Sequence, residues 1–288
     1  MPRFHAPDGR GLHFEDSGGA GPAVLCLAGL SRNARDFDAV AERLSPRFRV
    51  IRLDSRGRGR SDRAADPAAE YTVPVEAGDA LALLDHLGLS GVGLAGTSRG
   101  GLLAMAIAAA RPEALAAVAL NDIGPVVRGA GLERIFAALA AAAAPPESFE
   151  AAAEALCAAN AERFPGVPLA RWLAHARATH DPGPDGRPVY ACDPELPRVI
   201  AAGARPDPGA PVPDVEIWPL FEALSPLPVL AIRGANSDIL SAETLAEMAA
   251  RHPRLEAVTV PDRGHAPFLD EPEALDALEA FFIRTLAP

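Results

Sequence analysis

The sequence predicts an α/β fold: a mostly parallel sheet with helices on both faces and a helical segment inserted past its middle. Three observations carry this. Strand and helix patterns alternate along both ends of the chain. Several strand runs are continuously apolar, as in strands buried on both faces. The alternation stops near Gly124-Pro125 and resumes only near Leu227.

Taken in order, residues 2–6 and 10–17 read as a hairpin across the Asp8-Gly9 turn. Residues 22–28 (PAVLCLA) and 48–53 (FRVIRL) are short strands. Residues 74–88 carry apolar side chains at helical spacing up to Gly88. Residues 91–96 (GVGLAG) form a strand, 99–110 a helix stopped at Arg111-Pro112, and 116–121 (AAVALN) another strand. The middle reads differently. Helices are expected over 131–144, 148–163 and 167–179, and residues 181–215, crowded with Pro, Gly and Asp, read as loops with little regular structure. The rhythm returns with a strand at 227–233, a helix at 241–251, a strand at 255–260 and a helix at 272–286. The expected organisation is a core of residues 1–124 and 218–288 and a helical cap of residues 125–217. The strands at 116–121 and 227–233 can lie side by side, so the insert would emerge at the C-terminal strand ends.

Composition narrows the function. The 288 residues allow about two domains or one large one, with 49% hydrophobic and 23% charged residues, which are globular values. The net charge of −11 argues against a nucleic-acid partner, which needs a basic face. All 27 basic residues are Arg, so lysine Schiff-base chemistry and a phosphate-loop lysine are excluded. Cys26, Cys157 and Cys192 are widely spaced and odd in number, which is neither a disulfide framework nor a zinc motif. The first residues show no apolar leader pattern, and no charge-free apolar run approaches about 18 residues. The expectation is a cytoplasmic protein with no membrane partner.

The chemistry is concentrated in Gly96-Thr97-Ser98-Arg99-Gly100, a G-x-S-x-G pattern set between an apolar strand and a helix. On such a turn Ser98 is an exposed nucleophile beside a helix N-terminus, which favours negative charge. A serine hydroxyl needs a base. Of the seven histidines, His265 lies in the loop after the last strand, at the sheet end where Ser98 should stand. The imidazole needs an acidic partner. Asp238, shortly after the penultimate strand, is the preferred candidate, and Asp122, just after the strand ending at Asn121, is the alternative.

These residues resemble the α/β-hydrolase fold family with a cap domain. The resemblance spans nearly the whole chain and includes Asp54-Ser55-Arg56-Gly57-Arg58-Gly59-Arg60-Ser61, similar to the family's D-x-R-G-x-G-x-S loop. It implies an oxyanion hole made by the backbone N–H of Arg99 and, from the loop after the first parallel strand, that of Leu30. In that loop Ala28-Gly29 stands where the family usually has His-Gly. The Arg99 side chain could brace the cap, contact substrate or form a surface ion pair, with the ion pair preferred. Serine rather than Asp at the elbow disfavours dehalogenase and many epoxide-hydrolase chemistries. The expected activity is acyl-serine hydrolysis of a small or medium apolar ester, needing no cofactor and no metal. A lactonase or a C–C hydrolase acting on a β-diketone is the alternative within enzymes, and a non-catalytic binding protein the alternative outside them. Phe136, Leu139, Phe164, Trp172 and Trp218 are the expected lining of an apolar pocket.

Overall fold

The computed structural model describes residues 2–141, 145–205 and 210–286. In chain order, β1 (Arg3–His5) and β2 (Gly11–Asp16) precede β3 (Ala23–Leu27), α1 (Asp38–Leu44) and β4 (Arg49–Leu53). Helices α2 (Pro67–Glu70) and α3 (Val73–His86) lead to β5 (Val92–Thr97), α4 (Arg99–Ala110) and β6 (Leu115–Asn121). The inserted segment holds β7 (Val126–Val127), α5 (Gly129–Ala141), α6 (Phe149–Asn160), α7 (Leu169–Thr179), β8 (His180–Pro182), β9 (Pro188–Tyr190), α8 (Glu195–Ala204) and β10 (Val215–Glu216). The chain closes with α9 (Trp218–Glu222), β11 (Val229–Gly234), α10 (Ala242–Arg251), β12 (Leu255–Val260) and α11 (Pro272–Leu286).

One sheet runs β1-β2-β4-β3-β5-β6-β11-β12. Its first two strands are antiparallel, and all pairings from β4 to β12 are parallel. The continuous apolar runs are explained by burial on both faces. In β3, Leu25 and Leu27 point to the layer of α3 and α4, with Leu83, Leu84, Leu103 and Ile107. Val24 and Cys26 point to the layer of α1 and α11, with Val40, Leu44, Phe281 and Phe282. Side chains alternate in direction along a strand, so each face needs its own apolar set.

Strands β6 and β11 are neighbours, with Asn121 opposite Ile232. The sheet therefore closes without the insert, whose neck is pinned by the antiparallel pair β7–β10. One expectation fails here. Residues 181–215 contain the hairpin β8–β9, the helix α8 and the strand β10. Helix α8 is held by a contact distant in sequence: Leu196, Val199 and Ile200 pack with Tyr71, Cys192 and Leu30. Its Pro197 lies in the first turn, where a missing N–H breaks no intrahelical bond. The helix expected over 131–144 is present as α5, and residues 142–144 lie outside the described residues.

Candidate active site

Ser98 sits between β5 and α4 with φ 52° and ψ −114°, a backbone region that costs a non-glycine residue on the order of 1–3 kcal/mol. The tight turn is possible because its flanks are glycine. A Cβ on Gly96 would come within 2.5 Å of the Gly100 backbone, and one on Gly100 within 1.9 Å of the Leu27 carbonyl oxygen. The turn is anchored by the Ser98 N–H, which donates to the Asn121 carbonyl at 2.9 Å.

The Ser98 hydroxyl lies 2.8 Å from Nε2 of His265. On the other side of the ring, Nδ1 lies 2.8 Å from Oδ2 of Asp122. Asp122 is fully buried. Its Oδ1 accepts the Gly234 N–H at 2.7 Å, and its Oδ2 also accepts the Ser237 hydroxyl at 2.5 Å. The preferred candidate for the acid is thus not the residue at the imidazole. Asp238 is instead clasped by Nε and Nη2 of Arg134, from α5. Burial pushes the Asp238 carboxyl up, but Arg134 outweighs it and holds it below the usual value. The reason is local. β6 ends at Asn121, beside Ile232, while β11 runs on to Gly234, and Asp122 takes up a left-handed conformation (φ 56°) directly after β6. In the loop after β11 it is Ser237 that turns inward.

The His265 loop is tied down independently. Asn121 Nδ2 donates to Thr97 Oγ1 at 3.1 Å and to the Pro267 carbonyl at 2.9 Å. The Glu271 carboxylate accepts from the backbone N–H groups of Phe268 and Leu269 and from Arg263.

The loop after β3 faces Ser98: a Cβ on Gly29 would stand 3.8 Å from the Ser98 Cβ. Leu30 borders the space over Ser98, and Arg99 is the first residue of α4. With alanine at position 28, this loop is braced from elsewhere. Arg58 Nε donates to the Leu30 carbonyl at 2.7 Å, and Asp54 accepts the Ala34 N–H at 2.7 Å. Arg58 in turn pairs with Glu76 at 3.1 Å. The Arg99 side chain turns away from Ser98 and pairs with the same Glu76 at 2.7 Å, while donating to the Tyr71 carbonyl. The expected ion pair of Arg99 therefore exists, but it is buried rather than on the surface. Burial raises the Glu76 carboxyl, yet Arg58 and Arg99 together hold it below its ordinary value.

Above Ser98 and His265 lies a cavity of about 150 Å³, walled in part by Leu139, Leu156, Phe164, Trp172, His175 and Phe268. Leu139, Phe164 and Trp172 are thus where they were expected. Phe136 and Trp218 are not. Phe136 faces a neighbouring cavity of about 520 Å³ that shares Leu139 and Tyr190 with the first. Trp218 lies under the Arg251 guanidinium, 3.8 Å from its ring centre, and edge-on to Phe221. As the first residue of α9 it belongs to the packing of the α3–α4 layer. Among the described residues no group of three or more His, Cys, Asp or Glu side chains converges on a metal site, and no helix is long and apolar enough to cross a membrane.

Residues 22–272 match the family model of the alpha/beta hydrolase fold. The chain belongs to the α/β-hydrolase family. A crystal structure of an α/β hydrolase from Novosphingobium aromaticivorans superposes with a TM-score of 0.88 at 41% identity, covering 98% of this chain and 97% of that one. A 3-hydroxybutyrate-oligomer hydrolase of Cupriavidus necator is 37% identical over 91% of this chain and 89% of its own length. A 2-(acetamidomethylene)succinate hydrolase of Mesorhizobium japonicum is 28% identical over 86% of this chain and 82% of its own. This α/β hydrolase is accordingly an enzyme of hydrolytic chemistry.

Sequence reasoning missed the supporting residues Asn121, Ser237, Arg58 and Glu76. Only Arg58 had a local signal, its place in the glycine-rich segment 54–61. The others act across strands, and nothing in their immediate neighbours marks them.

Proposed function

We propose that this α/β hydrolase cleaves carboxylic esters through an acyl-serine intermediate, with Ser98 as nucleophile, His265 as general base and acid, and Asp122 as the group that orients and steadies the imidazolium. The observation that carries the reading is the unbroken series Ser98–His265–Asp122, with 2.8 Å at each step, opening onto a cavity. Nδ1–H donates to Asp122, so Nε2 is free to accept the serine proton. As Ser98 Oγ bonds to the ester carbonyl carbon, its proton passes to Nε2. The carbonyl oxygen gains the negative charge, facing the N–H groups of Leu30 and Arg99. Each such donor contributes on the order of 3 kcal/mol to the transition state. Collapse breaks the bond to the alkoxide, which takes the proton from Nε2. Water then repeats the sequence and releases the acid. The segment 125–217 acts as a cap that excludes water and shapes the acyl site.

For the substrate, the 37% identical relative supports a short ester of a hydroxyacid, such as a 3-hydroxybutyrate oligomer. The cavity's apolar walls suit the carbon chain. A second reading, hydrolysis of a dicarboxylate such as 2-(acetamidomethylene)succinate, is supported by the 28% identical relative and by Arg32 and Arg134 in the cavity wall. Both guanidinium groups are already paired, with Asp36 and Asp238, which weighs against it. The test is hydrolysis of 3-hydroxybutyrate oligomers, p-nitrophenyl acyl esters, lactones, β-diketones and 2-(acetamidomethylene)succinate, with and without a serine-directed covalent inhibitor. Ester turnover abolished by the inhibitor is expected. Absence of turnover on every ester would remove the reading.

A further inference from the structure

On the wall of the cavity over Ser98, the ring nitrogens of Trp172 and His175 have no hydrogen-bond partner among the described residues. Of the two, only the imidazole of His175, on α7 and 8% exposed, offers both a donor and an acceptor. Its ring stands edge-on to Trp172 and Phe268, with centroids 6.0 and 5.6 Å away. Its backbone carbonyl, not its ring, accepts from Thr179 Oγ1. Its polar neighbours in the wall are engaged: Ser31 with Tyr190, Asn160 with the Leu156 carbonyl, Arg32 with Asp36, and Thr97 with Asn121. Two other buried histidines commit ring nitrogens to the protein. His252 places Nε2 on the Leu224 carbonyl and Nδ1 on the Arg254 N–H, and His180 places Nδ1 on the Ala176 carbonyl. The His175 ring nitrogens, unpaired within the protein yet not sealed from the cavity, are left to meet whatever occupies it.

We infer that His175 is a specificity-determining residue that hydrogen-bonds a neutral oxygen on the chain of the bound ester, a hydroxyl or a further ester carbonyl. Acyl chains bearing such an oxygen are then preferred over plain hydrocarbon chains. This rests on the ester-hydrolase reading above. Two features point to a neutral oxygen rather than a carboxylate. Burial, reinforced by Arg32, Arg171 and His180, holds the imidazole well below its ordinary pKa of 6.5. It therefore offers one donor and one acceptor, which match a hydroxyl, and no ionic attraction. Around it, Trp172, Phe164 and Phe268 are fixed against one another at 5.2–5.5 Å, so the ring is presented from a rigid wall while the same aromatic surface takes the carbon chain.

The test compares ethyl 3-hydroxybutyrate with ethyl butyrate as substrates of the wild type, His175→Phe and His175→Asn. The quantity read is the ratio of kcat/KM for the hydroxylated ester over the plain one, which does not depend on the fraction of protein correctly folded. In His175→Phe this ratio should fall about tenfold or more, as loss of a substrate hydrogen bond implies. In His175→Asn, whose amide keeps a donor and an acceptor, part of it should return. An unchanged ratio in His175→Phe overturns the inference. Binding of the same two esters to Ser98→Ala and Ser98→Ala/His175→Phe, followed by ligand-observed NMR, separates the two proposals. A preference for the hydroxylated ester that depends on His175, without wild-type turnover of any ester, would remove the hydrolase reading and leave this one standing. Wild-type turnover with a ratio insensitive to His175 would do the reverse.

Discussion

Oδ2 of Asp122 lies 2.8 Å from Nδ1 of His265 and also accepts the Ser237 hydroxyl at 2.5 Å. One carboxylate oxygen thus joins the imidazole to the loop that follows β11. With the Gly234 N–H on its other oxygen, the buried Asp122 has partners on both sides of its carboxylate. A polar group buried this deeply needs such partners to offset the loss of water.

Replacing Asp122 should therefore hurt more than replacing Asp238. Asp122→Asn keeps the shape but offers an amide to Nδ1, favouring the wrong tautomer, and kcat should fall on the order of 10²–10⁴-fold. Asp238→Asn breaks the pair with Arg134 and should change kcat by less than about tenfold. Steady-state kinetics on one activated ester decides it. A larger loss in Asp238→Asn would exchange the roles.

Ser98→Ala should reduce ester hydrolysis by on the order of 10³-fold or more while the circular dichroism spectrum stays that of the wild type. Residual activity within about tenfold of wild type would exclude Ser98 as the nucleophile.

Glu76 is 1% exposed and faces two guanidinium groups, those of Arg58 and Arg99. Glu76→Gln leaves both cations short of their counter-charge, and stability measured by urea unfolding should fall by about 3–5 kcal/mol near neutral pH. The carboxyl is held below its ordinary value of 4.5 in the fold. Its ionisation therefore stabilises the native state above about pH 4.5, and this is lost as pH falls through the folded value. The stability gap between wild type and Glu76→Gln should narrow as pH is lowered from about 7 toward 3. A gap constant with pH would mean that the pair is not what stabilises this region.

Trp172 forms part of the wall over Ser98 and packs edge-on against Phe164 and Phe268. Trp172→Ala enlarges the cavity over Ser98, so kcat/KM should shift toward longer acyl chains by roughly 1–3 kcal/mol per methylene-sized step. Phe136→Ala, which opens the neighbouring cavity, should leave that preference nearer the wild type. Equal shifts in the two variants would mean that the cavities act as one site.

The strand–turn–helix setting of Gly96-Thr97-Ser98-Arg99-Gly100 and the loop position of His265 were legible in the sequence, because each depends on its immediate neighbours. So was the order of the core strands flanking the insert, since continuous apolar runs report burial on two faces wherever they occur. Three matters needed the tertiary structure. Which carboxylate meets His265 was one: Asp122 and Asp238 both follow neighbouring strands at the same sheet end, and the left-handed turn at Asp122 and the pairing of Asp238 with Arg134 separate them. The helix α8 was another, because a stretch rich in Pro and Gly becomes helical when Leu196, Val199 and Ile200 meet Tyr71 and Leu30 from the far side of the chain. The last was the pocket wall. Phe136 and Trp218 are as apolar as Trp172, yet only Trp172 lines the Ser98 cavity. Periodicity says that a side chain is buried, but which of several apolar surfaces it is buried against is set by contacts between segments far apart in the chain.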